Sequence, residues 1–209
     1  MEMAATPIVG SGNSLSTGGF LNPDMVINEF GLRPGMSVAD FGSGAGYFTI
    51  IMAARVGKEG RVYALDIMES ALDSVREKAG AVGLENVEAI RTNLEVMGSS
   101  GLSDQSQDMA LLANILFQSD KKIEIVREAK RTLKDGGSLI IVDWKKNAGA
   151  MPDLPDRQTG GRQGFGPPDN LRTDEMAMHS LAVGEGLVFE RAFDAGQFHF
   201  GLIFKKTGN

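Results

Sequence analysis

Three glycines at alternate positions, Gly42, Gly44 and Gly46, sit in the stretch VADFGSGAGYFTI, residues 38–50. They separate an apolar run carrying Asp40 from a second apolar run. Glycine at such a junction permits positive φ and lets backbone come close to a ligand with no Cβ in between. If a helix opens after the loop, its first N–H groups are free donors aimed at the same place. A tight turn alone would need one glycine, not three. A dinucleotide fingerprint would read G-x-G-x-x-G and cradle a pyrophosphate. Here the spacing is G-x-G-x-G, and Tyr47 stands where the third glycine would be, a side chain expected to hinder close helix–strand packing. Asp40 lies two residues before the first glycine, and a carboxylate there suits an ammonium better than a diphosphate.

Other groups could do chemistry. Asp143 closes the apolar run LIIVDW, followed by Lys145 and Lys146. It could accept a proton, hold a substrate amine or simply cap a loop. Asn114 follows the run DMALLA and either faces a ligand or serves a turn. His199 lies between Phe198 and Phe200. It titrates near neutrality and could be a base, although a histidine in an apolar strand is usually a satisfied core residue. His179 sits near Met176 and Met178, which read as helix packing and surface. Arg157, Arg162 and Arg172 flank GPP, where they could meet an anionic substrate or remain solvated.

These residues need a scaffold, and the chain alternates in a way that supplies one. SVADF, RVYALD, NVEAIRT, DMALLANILF and GGSLIIVDW read as strands. GYFTIIMAARV, MESALDSVREKAGAV and DKKIEIVREAKRTL read as helices, the second with Met68, Ala71, Leu72, Val75, Ala79 and Val82 at helical spacing and Gly83 closing it. The third aligns Ile123, Val126, Lys130 and Leu133 on one side. NPDMVINEF reads as a short helix with Asn22 as N-cap and Pro23 at its first position. Strands this apolar are covered on both faces, so the expectation is an α/β fold with a mostly parallel sheet between helix layers. The end differs: TDEMAMHSLAVGEG is a helix, and LVFERAFDA and QFHFGLIFKK form a hairpin around Ala195–Gly196. Residues 1–19 read as a flexible arm, 20–209 as a single domain, and 145–172 as a long Pro- and Gly-rich loop over or near the site.

The bulk numbers narrow the function. The net charge of −6 and pI near 5.0 make nucleic acid an unexpected partner. There is no cysteine, so a thiolate zinc site or thiol nucleophile is impossible in this chain. No window reaches the roughly 18 apolar residues of a membrane span, and no basic segment precedes an apolar core at the N-terminus. The expectation is a cytoplasmic protein acting on a small molecule, with no metal and possible homodimerisation.

VADFGSGAG resembles the nucleotide-loop motif of class I S-adenosylmethionine-dependent methyltransferases. The order of the remaining motifs agrees, over about Asn22 to Lys206. VYALD is similar to the second motif, RTNLE to the adenine-contacting segment, DMALLANIL to the fourth-strand motif, and LKDGGSLIIVDW to the turn entering the fifth strand, with Asp135 replacing the usual proline. The resemblance implies a Rossmann-like seven-stranded sheet whose last strand is antiparallel. It implies S-adenosylmethionine as cofactor, held by Asp40, Gly42, Ser43, Gly44, Gly46 and Tyr47 in the first motif. Asp66 would bind the ribose hydroxyls with Ile67 beside it, Asn93 and Leu94 would meet adenine, and Asn114 would lie beside the methionyl part or the substrate. Asp143 and His199 are the catalytic candidates. The fourth strand ends in ANILF, unlike the N/D-P-P-Y/F pattern of exocyclic-amine methyltransferases. Without cysteine, cytosine C5 chemistry and thiol-bound arsenite chemistry are excluded too. The VDW ending resembles the ubiquinone/menaquinone methyltransferase-like group. Two other readings stay open: a protein that binds the cofactor without turnover, and an NAD-dependent oxidoreductase, against which the glycine spacing counts.

Overall fold

The computed structural model describes residues 21, 23–148, 154–155, 162–163 and 166–208, the last four residues before 166 by backbone only. The proposed arm at 1–19, the Asn22 cap, Arg157 and the side chain of Arg162 lie outside the described residues.

Five strands rise in sequence, β1 (Ser37–Phe41), β2 (Arg61–Asp66), β3 (Val87–Arg91), β4 (Gln107–Ala113) and β5 (Leu133–Trp144). A two-residue pair follows, β6 (Leu154–Pro155) and β7 (Arg162–Gln163), within the segment expected to be an irregular loop. The chain ends with β8 (Leu187–Asp194) and β9 (His199–Lys206). One seven-stranded sheet runs in the order β3-β2-β1-β4-β5-β9-β8. β1 to β5 pair in parallel, and β9 is antiparallel to both of its neighbours. The expected Rossmann-like α/β sheet with helices on both faces is therefore the observed one.

The helices are α1 (Pro23–Val26), α2 (Tyr47–Val56), α3 (Glu69–Ala81), α4 (Lys122–Thr132) and α5 (Glu175–Gly184). Because strand side chains alternate, each central strand feeds two cores. Val38, Met109, Leu111, Ile140 and Val142 meet Met52, Ala53 and Val56 of α2, with Val26 of α1. Ala64 meets Leu72 and Val75 of α3 on the same face. Phe41, Leu112, Ile141, Leu202 and Phe204 meet Val126 and Ala129 of α4 and Met178 and Ala182 of α5. Asp174 caps α5, accepting from the Ala177 N–H at 3.0 Å.

Four local expectations need correction. The fourth strand stops at Ala113, because Asn114 turns to φ 55° and Leu116–Gln118 closes as a 3-10 turn. The first helix is one turn, then 3-10 from Ile27 to Phe30. Met68 and Val82 fall outside α3 as its flanking caps and are exposed, leaving Leu72, Val75 and Ala79 inside. On α4, Ile123 is exposed and Ile125 is buried, and the polar Glu128 is fully buried beside it. No helix among the described residues is long and apolar enough to cross a membrane.

Candidate active site

The strand order reverses direction between β1 and β4, since the chain winds outward from β1 to β3 and then restarts at β4 on the other side. Loops leaving such neighbours part from one another and open a crevice at the carboxyl ends of the strands. A cavity of about 1010 Å³ opens there. It is lined by the glycine loop, the end of β2, the segment after β3, the turn after β4, and Trp144 with His199.

The three glycines do three different things. Gly42, at φ 79°, donates to the Leu65 carbonyl at 2.8 Å, and a Cβ there would stand 2.2 Å from Ile115 Cδ1. It lets the turn after β4 close over the loop. Gly46, at φ 80°, packs on α3, where a Cβ would meet Val75 Cγ2 at 2.9 Å. The sequence led to the expectation that Tyr47 would hinder close helix–strand packing; the close contact here is made by Gly46, with helix α3. Tyr47 is exposed and lines the cavity, so it obstructs no packing. Gly44, at φ 50°, has nothing within 4 Å of its missing Cβ, so its backbone lies bare on the cavity wall. Lys78 braces the loop by donating to the Ala45 carbonyl at 2.6 Å.

Two acids share the glycine-loop end of the cavity. Asp66 accepts from the N–H of Gly44 and of Met68, both at 2.9 Å. These two bonds fix the carboxylate at the rim and tie the glycine loop to the start of α3. Asp40 is buried and accepts from Thr49 of α2, from its hydroxyl at 2.6 Å and from its N–H. Burial pushes its carboxyl up to about 7, against the Thr49 bond, and the Asp66 charge pushes the same way. A cation entering here would find a carboxylate short of partners. Ser43 Oγ and Asn114 Oδ1 are also buried on the cavity wall without a partner. Asn93 is exposed, and its Oδ1 accepts from the Glu95 N–H at 3.0 Å, which leaves its amide nitrogen for a ligand. Ile67 and Met68 are exposed and Leu94 is buried, and all three apolar side chains line the cavity.

The two catalytic candidates part company. Asp143 is fully buried and is not among the lining residues. Its Oδ2 accepts from the Phe117 N–H at 3.1 Å and its Oδ1 from its neighbour Trp144 at 2.8 Å. The turn after β4 folds over it, so it holds that turn and does not stand on the rim as expected. Burial raises it to about 7, opposed by the Trp144 and Phe117 N–H groups and by Lys122. His199 does line the cavity, because β9 inserts beside β5 and pairs it with Trp144. It is 1% exposed, its ring lies 4.1 Å from the Trp144 ring, and neither ring nitrogen has a hydrogen-bond partner. Burial, then the charges of Lys145 and Arg172, lowers its pKa to about 4, so the imidazole is neutral.

Other lining residues were missed in the sequence, among them Glu95, Phe48 and Trp144. Glu95 accepts from the Ser119 hydroxyl at 2.8 Å, joining the segment after β3 to the start of α4. Phe48 and Trp144 add apolar walls to the cavity. Glu95 was within a quoted motif, but nothing in its spacing says that Ser119 comes to it. Among the described residues no cluster of three His, Asp or Glu could hold a metal ion.

The family model of a methyltransferase domain matches residues 32–175. The chain belongs to this family. Those residues span the glycine loop, Asp66, the β4 turn and the whole of α4 and β5. A "SAM dependent methyltransferase from Aquifex aeolicus" superposes at TM-score 0.73 and 29% identity, covering 88% of this chain and 89% of that one. The chain is similar to the "Arsenite methyltransferase" of Halobacterium salinarum, 27% identical over 73% of this chain and 39% of that protein. It is also similar to a "Ubiquinone/menaquinone biosynthesis C-methyltransferase" of Hydrogenovibrio crunogenus, 34% identical over 56% of this chain and 45% of that protein. The chain thus spans less than half the length of these curated relatives. The family is that of class I S-adenosylmethionine-dependent methyltransferases, and the cofactor it implies fits the donor set. An acid for a diol, a buried acid for a cation, bare glycine backbone and apolar side chains for a base stand in one cavity. A diphosphate would meet two carboxylates there.

Proposed function

We propose that the chain transfers the methyl group of S-adenosylmethionine to a small-molecule acceptor. The observation that carries this reading is the pairing, in one cavity, of a ribose-competent acid, Asp66, with an under-partnered buried acid, Asp40, at the switch point of the sheet. Asp66 would take the ribose hydroxyls with the lone pairs left over from Gly44 and Met68. Asp40 would balance the ammonium, and Asn114 Oδ1 would accept from the same end. Ile67, Met68 and Leu94 would cover adenine. When bound, the cofactor supplies a methyl carbon already activated on a sulfonium. The chain's part is to orient the acceptor and keep water out, and orientation alone can lower a barrier by up to ~7–11 kcal/mol in the best cases. Leu21, Phe48 and Trp144 supply an apolar wall for that purpose.

A small acceptor fits a cavity of this size and an acidic protein. Arsenite is not proposed, since this chain has no thiol to hold it. The test is thermal unfolding with S-adenosylmethionine, S-adenosylhomocysteine and NAD(H) in parallel. At 100-fold over its dissociation constant a ligand adds ~2.7 kcal/mol, a rise of roughly 5–11 °C for a chain of this size. The two adenosyl ligands are expected to give that rise; a rise with NAD(H) alone would overturn the proposal.

A further inference from the structure

Trp144 carries a donor that the fold leaves unused. A buried indole N–H ordinarily finds a hydrogen-bond partner. Trp144 is buried, yet its hydrogen bonds among the described residues are made by its backbone: its N–H donates to Asp143 Oδ1 at 2.8 Å, and its carbonyl accepts from the Thr173 hydroxyl at 3.4 Å. Four buried side-chain atoms among the described residues are closed off without a partner: Ser43 Oγ, Asn114 Oδ1 and both nitrogens of His199. Trp144 Nε1 is not one of them, so it is unpartnered but still open, and the space that Trp144 lines is the cavity. The ring is held in place by its neighbours. The His199 ring lies 4.1 Å from it, the Arg172 guanidinium stands 5.8 Å from its centroid, and a Cβ on Gly166 would meet its Cη2 at 2.7 Å. A donor fixed by packing needs little further ordering when a ligand takes it.

Its place in the sheet says which ligand that is. Asp66 ends β2 and Trp144 ends β5, with β1 and β4 between them. Three strand spacings separate the two strand ends by about 14 Å. With the ribose at Asp66 and the ammonium beside Asp40 of β1, the β5 end borders the space left for the acceptor. The charged side chains among the described lining residues are Asp40, Asp66 and Glu95, all acids, and Leu21 and Phe48 add apolar surface. An anion would meet like charge there. We infer that Trp144 is a specificity-determining residue: its indole N–H bonds a lone pair of the acceptor, and that acceptor is an uncharged, largely apolar molecule carrying an oxygen or nitrogen. The inference rests on the proposed methyl transfer and narrows its acceptor. An indole N–H donates only, so a molecule with no lone pair to offer leaves it unpaired, and a site built around such a bond selects against that molecule.

Trp144 is the single tryptophan of the chain, so the ¹⁵N-labelled full chain gives one indole N–H resonance to follow. The chain is saturated with S-adenosylhomocysteine and titrated with acetophenone, which is uncharged and carries a ketone oxygen, with ethylbenzene, of similar shape without the oxygen, and with benzoate, an anion. Acetophenone is expected to move the indole proton downfield in a saturable way and to slow its exchange with solvent. Ethylbenzene should produce no downfield shift, and benzoate should bind more weakly than acetophenone. In Trp144→Phe, which keeps an aromatic wall and loses the donor, ligand-observed NMR should show the affinity ratio of acetophenone to ethylbenzene falling roughly three- to tenfold, the worth of one neutral hydrogen bond. An indole proton already protected before any probe is added, no saturable response to acetophenone, the same shift with ethylbenzene, tighter binding of benzoate, or an unchanged ratio in folded Trp144→Phe would each overturn the inference. The thermal rise with S-adenosylhomocysteine is read on the same samples. If the rise is present and the indole signal behaves otherwise than expected, only this inference fails; if the rise is absent, the underlying transferase reading fails with it.

Discussion

Two fully buried carboxylates, Glu128 on α4 and Asp40 on β1, are treated in opposite ways. Glu128 accepts from Arg131 Nε at 2.9 Å and Nη2 at 2.7 Å, from the Gly98 N–H at 2.8 Å, and from the Ser100 N–H and hydroxyl. Burial would raise it, but these partners outweigh burial and leave it at about 2. Arg131 reaches on to Asp104 and the Leu102 carbonyl, so the hub pins the loop between β3 and β4 to α4. Asp40 has Thr49 and otherwise faces a cavity, and its carboxyl sits near 7. One acid is closed and holds the fold together; the other is left short of partners where a ligand would enter. The same contrast separates Asp143, bonded to two N–H groups, from His199, bonded to none.

Breaking the closed acid should cost the most. Glu128→Ala leaves the partly buried Arg131 without its main partner and the Gly98 and Ser100 N–H groups without theirs, a loss of about 3–5 kcal/mol. At ~2–4 °C per kcal/mol, the unfolding midpoint should fall by roughly 6–20 °C, measured by calorimetry. The binding of S-adenosylhomocysteine to the folded fraction should stay unchanged. A loss of binding with little loss of stability would erase the distinction between the two regions.

Asp66→Ala should do the reverse. Removing the proposed diol acceptor is expected to weaken S-adenosylhomocysteine by about 2–4 kcal/mol, roughly 30- to 1000-fold by titration calorimetry, while the protein stays folded. Unchanged affinity would mean that the ribose lies elsewhere.

Asp40 makes the comparison dependent on pH. Its folded pKa is raised, so between about pH 4 and pH 7 the native state holds a proton that the unfolded chain has released. Stability therefore falls as pH rises through that window, by up to ~4 kcal/mol for a shift of about three units. Asp143, also raised to about 7, contributes a similar slope. Asp40→Asn should remove about half of the decline and stabilise the protein above pH 7, by ~1–2 kcal/mol. In the wild type, affinity for the cationic cofactor should rise with pH up to about 7, as Asp40 ionises. A variant with an unaltered pH–stability curve would show that Asp40 is not the strained group.

The smallest effect is expected at Lys78. Lys78→Ala removes the brace on the Ala45 carbonyl and should weaken cofactor binding by about 0.5–1 kcal/mol, with no change in fold. A larger loss would mean that the glycine loop depends on that brace for its shape.

Much of the cofactor end was legible because its signals are local. Alternate glycines, an acid before them and an acid closing the next strand all lie within thirty residues, and strand–helix alternation places them at one rim. What the sequence misassigned depends on distant segments meeting. Asp143 sits at a strand end, where rim residues belong, but the turn after β4 lies over it, and that turn is set by Asn114 at positive φ. Glu128 reads as one more charge on an amphipathic helix, and only the arrival of Gly98 and Ser100 makes it a core residue. Tyr47 looked obstructive because the packing glycine is Gly46, one position earlier than a dinucleotide fold would place it. His199 could be named, but its bare nitrogens follow from β9 entering the sheet between β5 and β8.

The most direct test is the structure of the full chain crystallised with S-adenosylhomocysteine. The ligand is expected in the cavity at the β1–β4 switch point, with its ribose hydroxyls within hydrogen-bond distance of Asp66 and its ammonium on the Asp40 side. Ligand density outside that cavity, or ribose hydroxyls out of reach of Asp66, would contradict the account.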